Sequence, residues 1–217
     1  PGPLDDVTIL DGDQVSVDVT VTCLSLTIES NGDILANGFA SLTVNTLVTF
    51  TVTGNINLTS IVAGGNSLIQ TTLNSATSIL NAQSDINFNA LDGNETPTIN
   101  IQNLSTLNIS GNFNLNSSNS TTTFGLNSTV NYNGAGTQTI IATSYGRLQS
   151  SGAGARILGT TGTIIIKRNT TTCFTPGTNS YTITGSSMEF SGGGAQTIPA
   201  FNFNDLRVGS AGTKTFA

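Results

Sequence analysis

Residues 128–158 read STVNYNGAGTQTIIATSYGRLQSSGAGARIL, and residues 186–216 read SSMEFSGGGAQTIPAFNFNDLRVGSAGTKTF. The two segments align without a gap, at a 58-residue offset that places Ser128 on Ser186. The identical positions in the first segment are Ser128, Gly134, Gly136, Gln138, Thr139, Ile140, Ala142, Leu148, Ala153 and Gly154. A fixed period is typical of folds that stack one structural unit on the next. We expect each 58-residue repeat to make a whole number of coils, two or three.

The remainder of the chain alternates apolar and polar residues with a period of two, which indicates short strands. Examples are VSVDVTV at 15–21, INFN at 86–89 and FNFN at 201–204. Gly, Asn and Asp separate these runs, and no window has the spacing of a helix. The pattern predicts an all-β chain, either a β-sandwich or a parallel β-solenoid. The repeat favours the solenoid, because a sandwich gives no reason for a 58-residue period.

The composition fits stacked strands. Thr (36), Asn (25), Ser (23) and Gly (24) make up about half of the 217 residues, and only 8% are charged. Strands in successive coils lie about 4.8 Å apart, where like charges repel but Asn and Thr can hydrogen-bond to their own copies. The absence of His excludes catalysis that needs an imidazole base, and six basic residues are too few for a nucleic-acid binder. The sequence contains no run of 18 apolar residues, the length that a membrane-spanning helix needs.

The solenoid predicts which side chains point inward. A bridge between Cys23 and Cys173 would need their Cα atoms within about 7 Å, whereas several coils separate them, so we expect two buried free thiols. A sandwich could allow the bridge. The residues expected inside are Val7, Ile9, Val17, Leu26, Ile28, Val44, Phe88, Ile101, Phe113, Leu115, Tyr132, Ile140, Ile164, Ile166, Phe190, Ile198 and Leu206.

Charge is unevenly divided along the chain. Residues 1–146 have ten acidic residues and no basic one, whereas residues 147–217 hold all six basic residues. This asymmetry could favour head-to-tail contact between copies. Arg156 and Lys214 share one repeat position, and with Arg207 they are candidates for contact with an acidic polysaccharide. They could equally be isolated solvated charges.

Motifs for metal binding or catalysis are weak. Asp11-Gly12-Asp13 resembles a calcium-binding turn, but it lacks the further acidic ligands of an EF-hand loop and fits an ordinary polar turn. We expect no other cofactor site. Because acidic residues are scattered and no nucleophile can pair with a His, we expect no enzymatic activity.

Several motifs resemble a known family. PGPLDDVTI at 1–9, CLSLTI at 23–28, GAQTI at 194–198, FNDLRV at 203–208 and GTKTF at 212–216 are similar to β-solenoid repeats of large secreted surface proteins from Bacteroidota. Members of that family are adhesins or surface filaments exported by the type IX secretion system. The resemblance implies a secreted, cell-surface location and the same export machinery as partner. It supplies no catalytic residues.

Together these observations predict one β-solenoid domain over residues 1–217, a piece of a longer chain. The expected function is a non-enzymatic stalk or adhesive segment of a bacterial cell-surface protein that contacts extracellular glycans or surfaces. Two alternatives remain open. One is a subunit of a self-assembling extracellular filament, and the other is a glycan-binding β-helix.

Overall fold

The computed structural model describes residues 1–30, 39–60, 68–73, 77–90, 96–116 and 120–217. These residues are all-β and contain no helix, so none of the described ranges holds a helix that could span a membrane. Their strands are β1 (Asp6–Ile9), β2 (Gln14–Val17), β3 (Val21–Cys23), β4 (Ser25–Ser30), β5 (Phe39–Val44), β6 (Thr49–Val52), β7 (Ile56–Ser60), β8 (Leu68–Leu73), β9 (Ile79–Ala82), β10 (Ile86–Asn89), β11 (Thr96–Ile101), β12 (Thr106–Ile109), β13 (Phe113–Leu115), β14 (Thr121–Phe124), β15 (Thr129–Tyr132), β16 (Gln138–Ile140), β17 (Ser144–Tyr145), β18 (Arg147–Ser150), β19 (Arg156–Leu158), β20 (Thr163–Ile166), β21 (Phe174–Thr175), β22 (Tyr181–Thr182), β23 (Ser187–Phe190), β24 (Gln196–Ile198), β25 (Asp205–Val208) and β26 (Lys214–Phe216).

Up to β23, strands three apart along the chain pair in parallel, and this pairing makes a β-solenoid with three faces; the last pairs, β23 with β25 and β24 with β26, are two strands apart. Face 1 begins with β1, β4, β7, β10 and β13, and face 2 with β2, β5, β8, β11 and β14. Face 3 runs through β3, β6, β9, β12, β15, β18 and β21. The predicted parallel solenoid is confirmed, and the sandwich is excluded because a sandwich is built from antiparallel sheets.

The same three faces continue in the second half of the chain as separate ladders. Face 1 continues with β16, β19 and β22, and face 2 with β17, β20, β23 and β25. The main-chain N–H of Thr139 in β16 donates to Oδ1 of Asn112, just before β13, at 3.4 Å. The ring of Tyr145 in β17 stacks on Phe124 in β14, with centroids 5.3 Å apart. The core is therefore continuous where the ladders break.

The number of residues per coil varies along the chain: Asp6 pairs with Ser25 across a coil of 19 residues, and Leu148 pairs with Phe174 across one of 26. In the first half, Asn57 and Asn87 are neighbours across one coil of 30 residues. Later coils take 27 and then 23 residues. The coil between β15 and β18 is shorter still, an 18-residue coil in which Thr129 pairs with Arg147.

The 58-residue repeat does not contain a whole number of coils. Strand β15 lies on face 3, whereas its repeat partner β23 lies on face 2. One 58-residue repeat therefore carries the chain through two complete coils and then across two further faces. The expectation that a repeat makes a whole number of coils is wrong. What recurs is the 18-residue coil, from β15 to β18 and again from β23 to β25. This unit can start on different faces of the solenoid.

The predicted core is largely confirmed. Val7, Val17 and Leu206 are partly buried against it. Leu115 is 39% exposed and was wrongly expected inside, because it ends β13, the last strand of its ladder, and no described strand pairs with its outer edge. The predicted residues that are buried are Ile9, Leu26, Ile28, Val44, Phe88, Ile101, Phe113, Tyr132, Ile140, Ile164, Ile166, Phe190 and Ile198.

Both cysteines are free and buried, as predicted for the solenoid. Cys23 ends β3 near the start of face 3, and Cys173 precedes β21, the last strand of that ladder. The thiol of Cys173 contacts the main-chain oxygen of Thr197 at 3.8 Å, which places β24 over β21 and continues face 3.

Candidate functional site

Arg156, a predicted ligand contact, lies inside the solenoid and is 0% exposed. Its guanidinium donates to the main-chain oxygens of Tyr132 at 3.0 Å, Gly134 at 3.1 Å and Gly154 at 2.8 Å, and to Oγ of Ser150 at 2.9 Å. These partners are uncharged, and burial lowers the pKa of Arg156. Arg156 therefore presents no atom to an external glycan.

Gln138 lies beside Arg156, because the two residues pair in register on β16 and β19. Its Nε2 donates to the main-chain oxygens of Ile109 at 2.9 Å and Gly111 at 2.5 Å. Its Oε1 accepts from the main-chain N–H of Gly134 at 2.8 Å. The carbonyl oxygens of Ile109, Tyr132 and Gly134 also accept main-chain hydrogen bonds from the next coil, so these two side chains add a second donor to buried carbonyls. We call Gln138 and Arg156 the first carbonyl clamp.

A second carbonyl clamp, formed by Gln196 and Lys214, occupies the same repeat positions. Gln196 Nε2 donates to the main-chain oxygens of Ile166 at 3.1 Å and Arg168 at 3.0 Å, and its Oε1 accepts from Gly192 at 3.0 Å. Lys214 Nζ donates to the main-chain oxygen of Gly192 at 2.8 Å. The recurrence of a cation at this repeat position therefore reflects a structural need of the 18-residue coil.

Arg207 is the one predicted contact cation that faces solvent. Its side chain is 59% exposed, and its Nε donates to Oδ2 of Asp205 at 2.9 Å on the same strand. The structure therefore does not bring Arg156, Lys214 and Arg207 together as a surface patch. Two of them hold the backbone from within, and the third pairs with a neighbouring carboxylate.

The Asp11–Asp13 turn makes its own protein contacts. Gly12 has a φ of 84°, which suits a tight turn, and Oδ1 of Asp11 accepts from the hydroxyl of Ser30 at 3.2 Å. Within the described ranges, no group of three or more Asp, Glu, Cys or His side chains could hold a metal ion. The pair alone offers fewer oxygens than the six to eight that calcium takes.

Hydrogen-bonded amide ladders run along the outside of two faces. On face 3, Asn131 Nδ2 donates to Asn108 Oδ1 at 3.0 Å, and Asn108 Nδ2 donates to Asn81 Oδ1 at 2.8 Å. Asn81 in turn donates to Oγ1 of Thr51 at 3.1 Å. A similar ladder on face 1 joins Asn114, Asn87 and Asn57 at 2.8 and 2.9 Å. The predicted stacking of Asn on Asn is confirmed.

The tyrosine hydroxyls and the thiols in the core are held neutral. The hydroxyls of Tyr132 and Tyr145 lie 3.1 Å apart, and burial raises the pKa of Tyr132 to about 12 and that of Tyr145 well above its usual value. Burial also raises the pKa of Cys23 to about 11 and that of Cys173 above its usual value. Buried thiols with raised pKa values are poor nucleophiles.

Two surface grooves each adjoin one of the repeat-related alanines Ala142 and Ala200, and their other walls differ. The aliphatic groove, of about 480 Å³, adjoins Ala142 and is lined by Leu115, Thr139, Ile141, Ile157, Thr160 and Thr161. The aromatic groove, of about 530 Å³, adjoins the repeat partner Ala200 and is lined by Pro176, Asn179, Tyr181, Ile183, Phe201 and Asn202. The alternation of apolar and polar residues gives no sign of either groove. A signal was available, because Phe201 and Asn202 replace Thr143 and Ser144 in the alignment of the repeats.

A comparison with known protein families, curated proteins and solved structures found no significant match to this chain. The similarity of its motifs to Bacteroidota surface repeats therefore stays a prediction from the sequence. Any functional conclusion depends on the geometry of the solenoid itself.

Proposed function

We propose that this chain is a non-enzymatic stalk or adhesive segment of a secreted bacterial cell-surface protein. The observation that supports this function is the continuous stack of face 3, where seven strands pair in parallel from β3 to β21. Six steps of about 4.8 Å give a rigid element about 29 Å long from this ladder alone. Repeated stacking of coils is a simple way to span distance away from a surface.

The contacts between coils suit a mechanical role. The described coils hydrogen-bond to the coils before and after them through the main chain and the amide ladders. The carbonyl clamps add side-chain bonds where the coil is shortest. A force along the solenoid axis would therefore act on many parallel hydrogen bonds at every step.

The experiment is to locate and weigh the native polypeptide in its source cells. Intact cells would be treated with a protease that cannot enter them, and the mass of the polypeptide would be measured before and after treatment. A surface stalk predicts loss of the polypeptide from intact cells and a native mass far above 22.3 kDa. A polypeptide protected until lysis would overturn the proposal.

A second candidate is a self-assembling extracellular filament, favoured by one observation of charge. The first coil carries five carboxylates, whereas basic side chains begin only at residue 147. Opposite charge at the two ends could align copies head to tail. Sedimentation of the 217-residue chain at low and high salt tests this candidate. Polymers at low salt that dissolve at high salt would support it, and a monomer in both would exclude it. The five carboxylates of the first coil, on which this candidate depends, belong to Asp5, Asp6, Asp11, Asp13 and Asp18.

A further inference from the structure

The aromatic groove has a preorganised apolar floor. The ring of Tyr181 meets that of Phe201 edge-on, with centroids 4.8 Å apart and planes at 90°. The hydroxyl of Tyr181 donates to the main-chain oxygen of Pro176 at 2.9 Å, which fixes the ring. Phe201 is held in turn by Phe174, with centroids 5.4 Å apart. A ligand that enters this groove would meet aromatic surface that is already in position.

The rim of the groove is polar but uncharged. Asn202 is exposed, and within the described part of the chain its carboxamide makes no hydrogen bond. Asn179 is fixed on the opposite side, where its Nδ2 donates to the main-chain oxygen of Gly154 at 2.7 Å. Among the described residues, the lining includes no charged side chain. The free carboxamide of Asn202 offers both a donor and an acceptor to a ligand.

The aliphatic groove indicates that the fold does not require these side chains. At the same turn of the first short coil, Thr143 and Ser144 stand where the second has Phe201 and Asn202. Both are 18-residue coils that carry a carbonyl clamp, so the architecture is complete with the smaller residues. The ring and the carboxamide are therefore not needed to build an 18-residue coil.

An aromatic floor with an uncharged hydrogen-bonding rim matches the two sides of a sugar ring. A pyranose has C–H groups on one face, which pack on aromatic rings, and hydroxyls at its edge, which pair with carboxamides. The lack of charge in the lining disfavours an acidic sugar, whose carboxylate would lose solvation without a partner. The volume of about 530 Å³ falls within the usual range for small-ligand sites.

We infer that the aromatic groove, whose floor is Tyr181 and Phe201, binds a neutral saccharide, with Asn202 pairing to its hydroxyls. This inference rests on the proposed adhesive function and names the chemical class of its ligand. It moves the expected glycan contact away from Arg156 and Lys214, which lie within the carbonyl clamps.

The test uses the 217-residue chain and four neutral probes, namely cellotetraose, xylotetraose, mannotetraose and laminaritetraose, with tetragalacturonate as the acidic probe. Binding is measured by calorimetry, and the tyrosine fluorescence is followed in parallel. We expect saturable binding of at least one neutral probe and about a fivefold or greater loss of affinity in Tyr181→Ala, because one stacked ring contributes that much. Asn202→Ala should also weaken binding, and because this side chain is exposed its loss should leave the melting temperature unchanged.

Thr160→Ala and Thr161→Ala in the aliphatic groove are the matched controls and should bind as the parent chain does. The inference is overturned if no neutral probe binds at 10 mM (about the weakest useful affinity), if Asn202→Ala and Tyr181→Ala bind normally, or if only tetragalacturonate binds. Each of these results would leave the stalk function intact, because that function is tested by the location and mass of the native polypeptide.

Discussion

Gln138 and Arg156 face each other on the paired strands β16 and β19, and both side chains turn inward onto main-chain groups. Gln138 accepts from the N–H of Gly134, and Arg156 donates to the carbonyl of the same residue at 3.1 Å. The two side chains thus add to the main-chain hydrogen bonds that Tyr132 and Gly134 already accept from the next coil. Gln196 and the partly buried Lys214 repeat the hydrogen bonds to the main chain, so a polar pair of this kind recurs in the 18-residue coil.

Replacing Arg156 by Met should destabilise the chain by about 3 kcal/mol, because several buried carbonyls lose their only charged donor. Arg156→Lys should lose less, since Lys214 fills the equivalent position in the second clamp. The matched control is Arg207→Met, which removes an exposed ion pair with Asp205 and should cost less than about 1 kcal/mol. The measurement is the urea midpoint by circular dichroism. Equal midpoints for Arg156→Met and Arg207→Met would contradict a structural role for the clamp.

Glycine substitutions in the turn between β15 and β16 test how closely the backbone packs beside the first carbonyl clamp. A Cβ at Gly134 would lie 2.8 Å from Cδ of Gln138 and would also meet the carbonyl oxygen of Ser110, whereas a Cβ at Gly136 would meet nothing within 4 Å. Gly134→Ala should therefore lower the stability by more than about 2 kcal/mol, and Gly136→Ala should change it by less than about 0.5 kcal/mol. Thermal unfolding of both variants gives the comparison. Similar melting temperatures would mean that the turn can move away from the carbonyl of Ser110, and Gln138 with it, at little cost.

The fold could be predicted because its signal is local. The alternation in VSVDVTV and INFN follows from a strand with one buried face, and the Asn-rich composition follows from stacking on like residues. The face of the solenoid on which each strand lies could not be predicted in the same way. The 58-residue offset preserves strand order but not the face, since β15 and β23 lie on different faces, and the alignment carries no information about rotation round the axis.

The candidate site was harder to predict, because charged residues in a sequence are ordinarily predicted to lie at the protein surface. Arg156 and Lys214 were placed outside by that rule, yet carbonyl oxygens can solvate a buried cation when enough of them converge. The prediction for Leu115 is wrong in the opposite direction, because an apolar residue expected inside is exposed. Its alternation was right for a strand, but the ladder ends at β13 and leaves it 39% exposed.

Asn108 lies in the middle of the face 3 ladder, where it donates to Asn81 and accepts from Asn131. In Asn108→Asp the donor to Asn81 is lost and two oxygens face each other, so we expect a loss of about 1–3 kcal/mol at pH 7. Protonation of the new carboxyl restores a donor, which raises its pKa in the folded state. The lost stability should therefore return as the pH falls through this raised pKa, and the return should be complete below about 4, the pKa of the unfolded carboxyl.

The measurement for Asn108→Asp is the melting temperature relative to the parent chain at pH 7 and at pH 3.5. Asn202→Asp, at an exposed position, is the control and should differ little from the parent at either pH. A deficit in Asn108→Asp that is equal at both pH values would show that the ladder does not depend on the proton.

Alkaline pH should unfold the chain through its buried thiol and hydroxyls. Burial raises the pKa of Cys23 from 9.0 to about 11 and that of Tyr132 from 10.0 to about 12. Because both groups hold their protons more tightly when folded, their contribution is complete below pH 9 and is lost as the pH rises toward 12, on the order of 2–3 kcal/mol for each group. The melting temperature should therefore be nearly constant from pH 7 to 9 and fall steadily above it.

Tyr145→Phe separates the tyrosine contribution from that of the thiol. Tyr145 donates to the main-chain oxygen of Ile141 at 2.9 Å and contacts the hydroxyl of Tyr132, so its loss should cost about 1–2 kcal/mol at pH 7. With one ionisable hydroxyl fewer, the variant should lose stability less steeply above pH 10 than the parent chain does. Cys23→Ala is the complementary variant and should flatten the profile between pH 9 and 11. A parent chain whose melting temperature does not fall by pH 11.5, or a Tyr145→Phe profile parallel to the parent's, would mean that these groups ionise in place without opening the core.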